Sequence, residues 1–210
     1  MAENIEWLGH DCFRIQAGSI LIYVDPYQLT RREVADVILI THDHFDHCSP
    51  DDIGRLRGPQ TEIVGPAAVA EKVGGGVKTV RAGDRVTVRG IPIEVVPAYN
   101  LTKFRAPGQP FHPREAGGVG YILNADGKRI YHTGDTDAIP EIQSLRVDVA
   151  LLPVSGTYVM TAEEAAELAN RLQPKLAIPM HYGAIVGSAD DAQRFQQLAN
   201  VPVEILPKEE

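Results

Sequence analysis

Thr41-His42-Asp43-His44-Phe45-Asp46-His47 is the stretch that decides how this chain is read. Four candidate metal ligands, His42, His44, Asp46 and His47, stand within six residues. Neutral imidazole nitrogens and carboxylate oxygens suit zinc and its first-row neighbours. Four such groups so close in sequence do not converge easily on one ion. They split readily between two adjacent ions. Just upstream, the apolar run inside Asp36-Val-Ile-Leu-Ile-Thr41 predicts a buried strand over 36–41. Just downstream, Ser49-Pro50-Asp51-Asp52 predicts a helix over 50–57, with Ser49 as N-cap and Pro50 at the first position. The ligands therefore sit in a loop at the carboxyl end of a buried strand, where open α/β sheets bind their ligands. A structural zinc site would favour cysteine and fill all four positions. Cys12 and Cys48 are the only cysteines, and no paired-cysteine motif is present.

The surrounding chain, 210 residues long, can bury a core without staples and makes one large domain or two small ones. Strands are predicted over 5–8, 12–15, 20–24, 62–64, 77–80, 85–88 and 91–96, and a helix over 66–73. Residues 97–117 break this pattern with Pro97, Pro107, Gly108, Pro110 and Pro113. A loop of that length in a compact chain points to function, and it carries Asn100, Lys103, Arg105, His112 and Arg114. A hairpin is then predicted from 121–124 and 128–132, a short helix over 140–145 and a strand over 148–152. Thr161-Ala-Glu-Glu164 is a capping box opening a helix over 162–171. A strand over 175–179, a helix over 189–199 opened by Ser188-Ala-Asp-Asp191 and a strand over 203–206 complete the pattern. Strands followed by helix-strand units in both halves suggest two packed sheets with helices outside. Three apolar strands run into polar loops: 36–41 into His42, 148–152 into Ser155-Gly156-Thr157-Tyr158, and 175–179 into His181-Tyr182-Gly183.

Asp135 in Tyr131-His132-Thr133-Gly134-Asp135-Thr136 follows a predicted strand and a glycine, and suits a carboxylate shared by two cations. His181 likewise follows a buried strand. With Gly134-Asp135-Thr136 and Met180-His181-Tyr182-Gly183 added to the first motif, the chain resembles the metallo-β-lactamase-fold hydrolases. Leu8-Gly9-His10-Asp11-Cys12-Phe13 and the stretch around Asp135 are similar to the branch that contains the L-ascorbate-6-phosphate lactonases. The resemblance implies an α/β fold, a four-layer αββα sandwich spanning 1–210 as a single domain, with a dinuclear site at one edge. It places His42 and His44 on the first ion, Asp46 and His47 on the second, Asp135 between them and His181 on the second. It also asks for one more first-ion histidine. Where some relatives carry it, after Val96-Pro97-Ala98-Tyr99, this chain has Asn100. His112 is the nearest histidine and is assigned the role. His132, inside a strand, and His10, in a turn, are expected in supporting contacts.

Two divalent ions are expected, zinc first, with manganese, iron or nickel as substitutes. Cations about 3.5–4 Å apart share a water and lower its pKa, and the hydroxide so formed attacks a carbonyl carbon or a phosphorus. Asp46 is the expected catalytic residue, orienting that nucleophile. Lys103, Arg105 and Arg114, with Tyr158, are the expected substrate contacts, which favours a small anionic ester, lactone or phosphodiester. A nuclease and a non-catalytic metal-binding protein are the alternatives. The net charge of −8 argues against general affinity for nucleic acid or anionic membrane. Two cysteines, no signal-like start and no long apolar window point to a cytoplasmic protein without a membrane span. The sequence allows a homo-oligomer.

Overall fold

Val37 and Leu39 of the strand Ala35–Leu39 (β4) face one apolar cluster, while Ile38 and the following Ile40 face another. Alternation of this kind places one strand between two apolar layers. The computed structural model describes residues 2–30 and 33–209, and its strands form two six-stranded sheets and a separate small hairpin. The first sheet runs in chain order: β1 (Ile5–Gly9), β2 (Cys12–Ala17), β3 (Ile20–Val24), β4, β5 (Arg57–Gly65) and β6 (Val77–Thr79). Its first three strands are antiparallel, and β3 to β6 are parallel. The second sheet contains β7 (Arg85–Val88), β8 (Ile91–Pro97), β11 (Val119–Ala125), β12 (Lys128–His132), β13 (Val149–Pro153) and β14 (Leu176–Met180). Its order is β14-β13-β12-β11-β8-β7, with the β12-β13-β14 end parallel.

Phe13, Ile15, Ile22 and Val37 of the first sheet share a core with Ile93, Val95, Tyr121 and Leu123 of the second. Helices α1 (Pro50–Leu56) and α2 (Ala67–Val73) cover the outer face of the first sheet through Ile53, Leu56 and Val69. Helices α3 (Ala162–Leu172) and α4 (Ala189–Leu198) cover the second through Ala165, Leu168 and Phe195. The layers are thus helix, sheet, sheet, helix. Capping is as the sequence predicts. Ser49 Oγ accepts from Asp52 N–H, and the Thr161–Glu164 and Ser188–Asp191 capping boxes are both closed.

Four local expectations change. The irregular stretch holds a small hairpin, β9 (Phe104–Ala106) with β10 (Gln109–Pro110), and a 3-10 turn at Arg114–Ala116. The predicted helix over 140–145 is only a 3-10 turn, Pro140–Ile142. Residues 203–206 form no strand, since Pro202 and Pro207 bracket them and a single bridge joins Val203 to Ala177. The predicted strand over 62–64 starts five residues earlier, because Arg57 already pairs with Ala35 across a bulge.

The carboxyl end of β4 meets the first half of β11. Tyr121 donates its hydroxyl hydrogen to Ile40 O at 2.8 Å, and Val119 N–H donates to Thr41 O at 3.0 Å. Gly134 stands at the same seam with φ +62°. A Cβ there would come 2.7 Å from Val119 O and 3.0 Å from Thr41 Cβ. Only glycine lets the chain before Asp135 lie this close to the chain before His42.

Candidate metal centre

Asp25, at the end of β3, sets the first motif in place. Its Oδ1 accepts from Thr41 N–H at 2.8 Å, and its Oδ2 accepts from the Thr41 hydroxyl at 2.6 Å and from His47 Nδ1 at 2.8 Å. With its hydrogen given to Asp25, Thr41 Oγ1 is left to accept from His42 Nδ1 at 3.0 Å. Both rings therefore turn Nε2 toward a common centre. His181 follows β14 in the same way: Ser155 Oγ donates to Thr157 O, accepts from His181 Nδ1 at 2.9 Å, and frees His181 Nε2.

His112 reaches the centre from the irregular loop. Its backbone N–H and its Nδ1 both donate to Asn100 Oδ1, at 2.8 and 3.0 Å. Asn100 Nδ2 donates to Asp137 Oδ1 at 3.2 Å and to Tyr158 O at 2.9 Å. His112 Nε2 then lies 3.2 Å from His44 Nδ1. The asparagine that stands where a histidine was sought is the group that orients His112.

Asp135 lies between the imidazoles. Its Oδ2 is 3.2 Å from His112 Nε2, 3.3 Å from His181 Nε2 and 4.0 Å from His42 Nε2, and its Oδ1 is 3.5 Å from His47 Nε2. Three sets of potential ligand atoms lie within 4.8 Å of one another: His42, His44 and His112; His10, Asp46, His47 and His181; and Asp11, His47, Asp135 and His181. His42 Nε2, His47 Nε2, His181 Nε2, Asp135 Oδ1 and both Asp11 oxygens are buried without a hydrogen-bond partner. Buried polar atoms almost always have one. Nitrogen and oxygen atoms left unpaired together, around one point, fit divalent cations.

Four of the eight non-glycine residues with positive φ among the described residues belong here: His10 (52°), Asp25 (46°), Tyr158 (71°) and His181 (60°). Such conformations cost of order 1–3 kcal/mol each and gather at functional sites.

Residues 4–181 match the model of the β-lactamase superfamily domain. The chain belongs to that superfamily. A UPF0173 metal-dependent hydrolase of Thermococcus kodakarensis is 32% identical over 222 residues, covering 97% of this chain and 95% of its own. A proposed metal-dependent hydrolase of Parabacteroides distasonis, known from its crystal structure, is 35% identical with a TM-score of 0.86, over 98% of this chain and 93% of its own. A proposed zinc-dependent hydrolase of Thermotoga maritima is 25% identical with a TM-score of 0.64, over 93% and 85%. The protein is a metal-dependent hydrolase of the UPF0173 family, and its fold is that of the metallo-β-lactamases.

In this UPF0173 hydrolase the histidines expected in supporting contacts differ from each other. His132 uses both ring nitrogens: Nδ1 accepts from Gly134 N–H at 3.2 Å and Nε2 donates to Asp11 O at 2.9 Å. It packs edge-on against Phe13 and steadies the turn that carries Asp135. His10 holds Asp46, its Nε2 3.0 Å from Asp46 Oδ2, and also falls within one of the sets of potential ligands. Asp11 and Asp25 were missed in the sequence. Both are fully buried acids at strand ends, and Asp11 lies within a motif already singled out.

The basic residues of the loop do not line the centre. Lys103 Nζ pairs with Glu164 at 2.7 Å, on the carboxylate that closes the α3 capping box. Arg114 pairs with Glu141 at 2.9 Å and lies over the Tyr99 ring. Arg105 sits over the ring of Phe111, donates to Phe111 O, and borders a separate hollow with Gln109 and Glu115. Each cation expected at the substrate is held by a nearer protein group. Of the expected substrate contacts, Tyr158 alone borders the cleft over the ligands.

The two sides of the centre carry different charge. Burial holds His42 well below the usual imidazole range, with repulsion from His47 adding to it, and burial lowers His44. His47 goes the other way: burial lowers it, but Asp135 and the hydrogen bond to Asp25 raise it well above its ordinary value. Burial would raise Asp135, yet His181, His47 and His112 hold it well below the carboxylate range. Burial and the nearby Asp135 push Asp11 well above it.

Proposed function

We propose that this hydrolase holds two divalent ions, zinc in both sites, and cleaves an ester, lactone or phosphodiester with an activated water. The observation that carries this reading is the Asp135 carboxylate between two groups of imidazoles, with Nε2 of His42, His47 and His181 buried around it without partners. His42, His44 and His112 would hold one ion. His47 and His181 would hold the other with Asp46, and Asp135 would touch both. Ions bound there lower the pKa of water and draw electron density from the bond to be broken.

The protein's own groups do the rest. His10 fixes Asp46 through the 3.0 Å contact, and Asp46 carries its oxygens to the floor of the open cleft. Burial works against its ionisation, but the His10 hydrogen bond and the nearby His47 bring its pKa down to about 2. Asp46 therefore stays an acceptor at neutral pH, suited to orient the attacking water. Both sheets and the loop supply ligands, which supports treating 1–210 as one catalytic domain. Lactone hydrolysis, implied by the resemblance to L-ascorbate-6-phosphate lactonases, suits this centre, but no described cation lines the cleft to meet a phosphate. The same lack, with the net charge of −8, weighs against nucleic acid. Cys12 and Cys48 are free and buried, and no described helix is long and apolar enough to cross a membrane. Both features are compatible with the cytoplasm.

The test is metal content and turnover in one preparation. The wild type saturated with zinc should carry two ions per chain and hydrolyse members of a lactone, ester and phosphodiester panel, with activity lost to a chelator. Asp135→Ala should weaken both ions together. Two ions held unchanged in that variant would remove Asp135 from its place between the sites.

A further inference from the structure

The cleft above the ligands has a polar floor and apolar walls. His44, Asp46, His112 and Asp135 form the floor, and Phe45, Phe111, Tyr158 and Ile185 form the walls of a cavity of about 380 Å³. Phe45 is 62% exposed and Ile185 39% exposed, which is unusual for large apolar side chains so close to one another. The aromatic walls are built in pairs. Phe111 and Tyr158 meet edge to face at 4.6 Å, beside His112. Phe45 and Tyr27 meet edge to face at 5.9 Å, and Tyr27 in turn meets the ring of His10. Such pairs are stable arrangements of rings, so the walls are held apart before a substrate arrives. No described lysine or arginine lines the cavity.

We infer that the cleft selects uncharged substrates that carry an apolar or aromatic arm beside the scissile bond. This rests on the hydrolase reading above and narrows it, replacing the small anionic substrate expected from the loop's basic residues. An apolar arm between Phe45, Ile185, Phe111 and Tyr158 removes exposed apolar surface from water on both partners. A carboxylate or phosphate in the same place would lose its hydration, with no described cation to replace it.

Alkyl hydroxamates separate the arm from the chemistry, because the metal-binding head stays constant while the tail changes. The experiment measures Kd by calorimetry on the zinc-loaded protein for acetyl, butyryl, hexanoyl and benzoyl hydroxamates, and for a hexanoyl analogue ending in a carboxylate. Affinity should rise about fourfold per added methylene until the cleft is filled. The carboxylate analogue should bind roughly tenfold or more weakly than its uncharged partner. Phe45→Ser and Ile185→Ser, checked for zinc content and thermal stability, should each flatten the rise. A flat series on zinc-loaded wild type, or tighter binding of the carboxylate analogue, would overturn the inference. A rising series in a protein that hydrolyses no member of the panel would overturn the ester, lactone and phosphodiester reading and leave the pocket standing.

Discussion

His47 takes its orientation from Asp25, an acid at the end of β3, whereas His112 takes its orientation from Asn100, an amide in the irregular loop. The contrast extends to the two ligand groups they belong to. On the His47 side, Asp11, Asp46, His10 and His181 come from turns at strand ends, and imidazoles face carboxylates. On the His112 side the potential ligands are three imidazoles, two of them held low in pKa by burial. One of the three arrives only if residues 97–117 fold onto the sheet edge. The first group is preformed by the fold, and the second is completed by a loop. Equal ligand chemistry need not give equal metal affinity, because the groups behind the ligands decide how much ordering remains to be done on binding.

Asp25→Ala should have the largest effect. It leaves His47 buried without its partner and takes the acceptor from Thr41, a loss worth about 3–5 kcal/mol when a buried pair is broken. The melting temperature should fall by roughly 10 °C for a chain of this size, and zinc should be lost from both sides. A melting temperature unchanged in thermal denaturation would show that the strand ends do not organise the motif. Asn100→Ala should act on one side only. One ion per chain should weaken by about 10–100-fold in a chelator competition, as for groups that orient ligands, while the other stays. Asn100→Asp, which keeps the acceptor for His112, should recover part of the loss. Equal weakening of both ions would erase the distinction between the two groups.

His132 offers a smaller test, outside both ligand groups. Burial lowers its pKa, so as pH falls below about 6.5 the unfolded chain takes up a proton that the folded chain resists. Stability contributed by the neutral ring is present above that pH and is lost as pH falls toward the depressed folded value. His132→Gln should melt a few degrees lower at pH 7.5 and should show a shallower decline between pH 6.5 and 5.5 than the wild type. Parallel declines would mean that other histidines carry the whole pH dependence. Arg114→Ala should do least. Its partner Glu141 is a surface group, so stability should change by less than about 0.5 kcal/mol and zinc content should not change. A large loss of activity on an uncharged substrate would return Arg114 to the site.

Much of this arrangement was legible in the sequence. Apolar runs ahead of His42 and His181, and a glycine ahead of Asp135, marked strand ends that carry candidate ligands, and the fold brings those ligands together. Caps at Ser49, Thr161 and Ser188 marked real helix starts, because capping is decided within four residues. Long-range partners were not legible. Asp25 looked like the end of a strand, and Asp11 like a turn residue, since nothing local reveals which carboxylate a distant imidazole will meet. Lys103 and Arg114 misled for the same reason: Glu164 and Glu141 are far from them in sequence and close in space. Phe45 and Ile185, as isolated apolar residues in loops, gave no sign that they would face each other across a cleft.

Gly134 carries a consequence for how such a protein can vary. The gap between the two ligand groups is gauged by a hydrogen atom where every other residue would place carbon. In a saturation library scored for zinc retention, position 134 should reject even alanine, while the buried Ile122 and Leu123 nearby accept valine or methionine. Lineages that drift freely elsewhere in the second sheet would keep this one residue, and with it the spacing at which their chemistry works.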